Sequence, residues 1–240
     1  MLTFETEKTS LRKAALIIGI TTIIMAILAA FAVGVVDSRL IIDGDATATM
    51  NNIRESISLF QAGIFSWLII LICDIVISWA LYIFLKQIDN SLSLLGAWLR
   101  LIYSAILGIA ILNLVLVTIL LSSDYQLHSI QTDQLKSMLM LFIIAFHKMW
   151  SFGLIIFGVH LFIIGCLVMK SGFIPRILGI LLLIASFSYM FIHIMHLFLP
   201  QYENTTRIFE NILSLPMALG ELGLGIWMLV KGGKTSKKGN

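Results

Sequence analysis

Six unbroken apolar runs, near residues 14–36, 57–85, 94–122, 137–169, 177–199 and 209–230, constrain this chain more than any other feature. At 1.5 Å per residue each is long enough to cross a hydrocarbon layer of about 30 Å. Six spans of about 23 residues would use about 138 positions, and 59% of the 240 residues are apolar. The spans therefore account for nearly all of the apolar side chains. A secreted scaffold, a disordered tail, a soluble enzyme and a β-barrel are excluded, because the apolar residues run continuously and do not alternate. The expected fold is an all-α integral membrane protein, residues 1–240 forming one transmembrane domain with a basic tail at 231–240.

Charge gives the expected topology. The N-terminus (Lys8, Arg12, Lys13), two of the loops (Lys86; Lys170, Arg176) and the tail (Lys231, Lys234, Lys237, Lys238) hold ten basic residues, against four (Arg39, Arg54, Lys136, Arg207) on the other side. The positive-inside rule then places both termini in the cytoplasm of a cell membrane, as in a bacterial inner membrane. A net charge of +3 with no basic patch argues against nucleic acid as a partner and leaves the lipid bilayer. The run Ala14–Val36 exceeds a signal-peptide core of about 7–15 residues, so it reads as an uncleaved first span. Cys73 and Cys166 fall inside apolar runs and read as small hydrophobes.

Punctuation between the runs predicts local structure. Asp45, after Gly44, reads as the N-cap of a short outer-face helix between the first two spans. The fourth span is too long for the membrane, and its run Met138–Phe146 needs cover, which that short helix would provide. A re-entrant half-helix is the competing account. Gly172 should end one helix in a left-handed conformation and Pro175 should open the next. Pro216 should kink the sixth span one turn before Glu221. Ala26, Ala30 and Gly34 form a small-residue ridge of the kind that packs helices closely. No internal repeat is present.

The most informative residues are those a bilayer should reject, since each charge costs about 2.5–3.5 kcal/mol at mid-membrane and must be paired, buried or wetted. Asp74 and Arg100 fall where adjacent antiparallel spans would let them pair. His160 and Glu221 each lie ten residues from a basic boundary residue (Lys170; Lys231), at matching depth, and could form a proton-carrying pair. Asn113 is a further polar residue within a span. His147, beside Lys148, and His193 with His196 lie near the outer boundary, where three imidazoles from two helices could hold Zn²⁺ or another divalent ion. His147 and His160 are about 20 Å apart along one helix and cannot share a metal. Trp67, Trp98, Trp150, Tyr125, Tyr202 and Trp227 read as interfacial belt or packing residues, and His128 as a solvated loop residue. Nucleotide, zinc-protease and nucleophile-elbow motifs are absent.

Taken in order, Gly44-Asp45-Ala46 with Asn51-Asn52, Asp74, Arg100-Leu101, His147, Phe157-Gly158 with His160, Ser171-Gly172 with Pro175-Arg176, Leu178-Gly179, His196 with Pro200, and Gly220-Glu221 with Trp227 and Lys231-Gly232 carry a resemblance. From about Leu11 to Gly232 the chain resembles the bacterial multi-pass membrane family known as domain of unknown function 4386. His193 stands outside that pattern. The resemblance implies an integral membrane protein and supplies no catalytic residues or cofactor. The residues leave three expectations open. The first is a ligand-binding or transport protein using Asp74, Arg100, His160 and Glu221. The second is a metal-dependent intramembrane enzyme using His147, His193 and His196. The third is an accessory subunit without chemistry. Ligand, cofactor and oligomeric state are not written in the sequence.

Overall fold

A backbone in lipid has no water to bond with, so its N–H and C=O groups must pair within the segment, and unbroken helices achieve this. The computed structural model of the chain shows, among the described residues, helices and no strand. Those residues are 2–122 and 131–234, without the side chains of 2–9. Asp124, Tyr125, His128, Lys237, Lys238 and the Lys8 side chain lie outside them.

Helix α1 (Leu2–Phe31) continues through a π-helical turn (Ala32–Asp37) into α2 (Ser38–Leu40). After α3 (Ala46–Glu55) come α4 (Ile57–Leu85), α5 (Asn90–Leu121), α6 (Thr132–Ser171), α7 (Arg176–Phe198) and α8 (Glu203–Val230). Six segments, α1 with its continuation and α4 to α8, are long and apolar enough to cross a membrane. The sequence reading matches α4 at both ends and is short at most other ends, where helices take in polar residues of the first or last turn. At the start of α5, for instance, the Leu92 N–H donates to the Asp89 carboxylate at 3.1 Å, a cap that lets the helix begin well before its apolar run.

Packing follows chain order with one exception that closes the bundle. α4 packs on α1 and α5, α6 on α5 and α7, and α8 on both α7 and α1, so the six long helices form a ring. The chain reverses direction from each long helix to the next, which puts both termini at one face, here the terminal face, and α3 at the opposite, far face.

The far face holds the overlong element. α6 is one unbroken helix of 40 residues, about 60 Å at 1.5 Å per residue, so it is not re-entrant. Its cover is the expected one: α3 packs against α6, burying Thr49, Met50 and Ile53, while Leu139, Ile143 and Phe146 of α6 are buried too. Asp45 caps α3, accepting from the Ala48 N–H at 2.9 Å. At the terminal face Gly172 ends α6 with φ of +69°, a conformation in which a Cβ would be strained. Pro175 precedes α7 as its N-cap, one position earlier than expected. α8 runs unbroken through Pro216.

The first span departs from expectation in a way that shapes the interior. The ridge of Ala26, Ala30 and Gly34 does not pack a helix: Ala30 and Gly34 are exposed, and nothing lies within 4 Å of where a Gly34 Cβ would stand. Close approach happens lower on α1. A Cβ on Gly19 would meet the Leu229 Cβ at 2.6 Å, and one on Gly225 would meet Thr22 at 2.7 Å, so here only glycine lets the two backbones touch. Arg12 locks this end, donating to the carbonyls of Leu229 at 2.9 Å and Gly232 at 2.7 Å, oxygens that the end of a helix leaves unpaired. Beyond Thr22 and Gly225 the facing residues, Met25, Ala26 and Ala29 on α1 and Met217 and Ala218 on α8, line a cavity.

Candidate functional site

Residues three to four apart on a helix share a face. On α4 this rule aligns Trp67, Ile70, Asp74, Ile77 and Leu81, and on α6 it aligns Leu154, Phe157, Leu161 and Ile164; both stripes face the centre of the ring. The space they border is a cavity of about 470 Å³ lined from all six long helices, with Thr22, Asp74, Arg100, His160, Tyr189 and Glu221 among its walls.

One polar cluster joins three helices. Asp74 is fully buried, and its Oδ1 accepts two hydrogen bonds from Arg100, from Nε at 2.9 Å and from Nη2 at 2.5 Å. Arg100 Nη1 lies 3.3 Å from His160 Nε2, and His160 Nδ1 lies 2.8 Å from the Gly96 carbonyl oxygen. A carbonyl only accepts and a guanidinium only donates, so Nδ1 carries the imidazole proton and Nε2 offers its lone pair to arginine. The guanidinium also lies over the Phe157 ring, 5.1 Å from its centroid, a favourable cation–π placement. Ser78 ties α4 to α5 beside this cluster by donating to the Ala97 carbonyl at 2.8 Å.

A second cluster joins α7 to α8. The Tyr189 hydroxyl donates to Glu221 Oε1 at 2.6 Å. Aromatic rings form much of the wall between the clusters and the far face: Trp67 packs edge-on against Trp150 at 4.7 Å and Phe146 at 5.4 Å between centroids. Polar capacity is left over. Asp74 Oδ2 is buried and has no hydrogen-bond partner among the described residues, and Asp74 lines the cavity. Buried polar atoms are nearly always satisfied in folded proteins, so an unpaired acceptor this deep in the wall is uncommon.

The four residues expected to share a polar interior do so, but with different pairings. The Asp74–Arg100 pair forms. The His160–Glu221 pair does not, because His160 is taken up by Arg100 and Gly96 while Tyr189 takes Glu221. Tyr189 escaped the sequence reading, which took tyrosines only as belt or packing residues; a hydroxyl thirteen residues into α7, about 20 Å deep, was the available signal.

The three imidazoles near the far face have separate partners. His193 Nδ1 is 3.1 Å from the Ser151 hydroxyl, His196 Nε2 is 3.3 Å from Glu210 Oε2, and His147 Nε2 is 3.5 Å from Asp37 Oδ2. Among the described residues no three His, Cys, Asp or Glu side chains are grouped so as to hold a metal ion. Lys148 serves as a cap, its ammonium donating to the His196 carbonyl in the last turn of α7 at 2.7 Å. Asn113 donates to the carbonyls of its own helix and stays out of the cavity wall. Of the expected belt aromatics, Trp98 and Tyr202 are exposed, whereas Trp67 is buried in the ring.

A ring of six membrane-length helices around a largely apolar cavity with a few polar groups in its wall defines a multi-pass helical membrane protein. More narrowly, the chain belongs to the family described as Domain of unknown function (DUF4386), whose profile matches residues 17–232. It is similar to an uncharacterized protein of Archaeoglobus fulgidus, 29% identical over 171 residues, which are 70% of this chain and 83% of that one. No solved structure matches it.

Proposed function

We propose that this is a small-molecule binding or transport protein of the cell membrane, with its ligand held in the central cavity by Asp74, Arg100, His160, Tyr189 and Glu221. One observation carries the reading: the deeply placed charged groups turn toward a single cavity of about 470 Å³, within the usual range for ligand sites of about 300–1,000 Å³, and leave Asp74 Oδ2 unpartnered beside it. An accessory subunit held together by polar contacts would more naturally close the interior and satisfy every buried group. The distribution of Lys and Arg supports a cytoplasmic terminal face. Metal-dependent chemistry on His147, His193 and His196 draws less support, because each imidazole is already engaged elsewhere.

Filling the cavity tests the proposal. The purified protein in detergent should melt at a higher temperature in the presence of phenylbutanol, a neutral molecule of suitable size. Ala29→Trp, which adds an indole to the cavity wall, should abolish that shift while keeping or raising the melting temperature without ligand. An unchanged shift in the variant would place the alcohol elsewhere and remove the support for the cavity.

A further inference from the structure

We infer that the cavity's ligand is a lipid-soluble protonated amine, with Glu221 as its counter-ion and the seam between α1 and α8 as its entrance; this rests on the cavity being a ligand site. The first argument is charge. Of the two carboxylates deepest in the chamber, Asp74 already has the guanidinium of Arg100 against it, and the imidazole beside them, His160, offers arginine a lone pair and brings no charge. Glu221 has only a phenol, Tyr189. Its Oε2 has no hydrogen bond among the described residues, whereas Asp74 Oδ2, also without one, is sealed within the wall. What the chamber lacks is therefore a cation that donates hydrogen bonds, and a carboxylate kept from water is stabilised by one. An anionic ligand would meet Glu221 with no free positive group to offset it.

The second argument is the wall. Trp67, Tyr103, Trp150 and Phe157 line the same space, and the faces of such rings attract ammonium groups while their bulk accepts a hydrocarbon body. The third is access. α1 and α8 are locked together from Arg12 to Thr22, but farther along, Met25, Ala26 and Ala29 face Met217 and Ala218 across the cavity. Ala218 is exposed, and the flanks carry Ile27, Ile212 and Leu215, each more than 60% exposed. In a bilayer those flanks meet acyl chains, so the seam admits a molecule from lipid, and its apolar lip sorts for one that partitions there.

Binding of a matched pair to the full chain in detergent decides the matter: phenylbutylamine, protonated at neutral pH, against phenylbutanol. The amine should bind the wild type about tenfold or more tightly than the alcohol, the scale of an ion pair kept from water. E221Q should erase that preference by weakening the amine far more than the alcohol, and E221D, which keeps the charge one methylene farther back, should retain part of it and covers the case in which E221Q fails to fold. Equal affinity for the two molecules, or a preference that E221Q leaves intact, would overturn the inference with the cavity still a ligand site. If the wild type binds neither molecule, the proposed function falls along with it.

Discussion

Arg100 shows how much one side chain can organise. Its three nitrogens reach an acid on α4 and an imidazole on α6 while its stem belongs to α5, so a single guanidinium fixes the spacing of three helices. Removing one member of a buried ion pair strands the other, at a cost of about 3–5 kcal/mol, whereas replacing both with apolar groups is often neutral. Asp74→Asn should therefore destabilise the protein by about that amount, and the double variant Asp74→Leu with Arg100→Met should recover most of the loss, as read by unfolding in detergent. Equal instability of the single and double variants would mean that the pair itself, and not the stranded charge, holds the helices. Asp74 and Arg100 were legible as partners in the sequence because charge inside lipid demands a partner and adjacent spans offered one. Tyr189 was not, since a phenol tolerates many surroundings and only the rotation of α7 against α8 aims it at Glu221.

Among the elements, the start of α5 is where electrostatics and helix formation meet most plainly. Asp89 lies in the connector outside the spans, and its carboxyl is held below the usual range, first by the Leu92 N–H and further by the Lys170 ammonium at 3.3 Å. A depressed folded-state pKa stabilises above the unfolded value of about 3.9, and the contribution is lost as pH falls through the lower folded value. The melting temperature of Asp89→Ala should thus lie below that of the wild type at pH 7, and the gap should narrow as pH drops below about 3.9. A constant gap across that range would mean the carboxylate's charge is irrelevant to the cap. Elements such as α3 and the Gly172 turn were readable from their caps, because a cap is a local hydrogen bond or a local φ. The π-helical turn at Ala32–Asp37 gave no comparable sign, since it inserts one residue into an otherwise ordinary apolar helix.

At the scale of the whole molecule, the return of α8 to α1 turns a row of hairpins into a ring and thereby creates an interior. The same closure makes a topological prediction. With Cys73 and Cys166 replaced by alanine, a cysteine at Asp45 should react with a membrane-impermeant thiol reagent from one side of the membrane and a cysteine at Lys234 only from the other; labelling of both from one side would contradict the six-span ring. The tight half of the α1–α8 seam depends on Gly19 and Gly225, and its loose half on the cavity-lining alanines and methionines. That division within one interface is a property of how two helices cross, and the small-residue ridge at Ala26, Ala30 and Gly34 pointed to the wrong half because sequence spacing marks a face but not its partner.

By itself the sequence determined the solvent, the number of spans, the caps and turns between them and the depth of each polar group, because each of these depends on residues near one another along the chain. Tertiary structure alone decided that the six helices close into a ring, that His160 answers to Arg100 and Glu221 to Tyr189, and that a cavity remains at the centre. Those outcomes depend on how each helix is rotated about its axis against neighbours from elsewhere in the chain, and in nearly uniformly apolar helices the pattern of side chains barely specifies that rotation; packing of unlike shapes and the pairing of a few buried charges settle it.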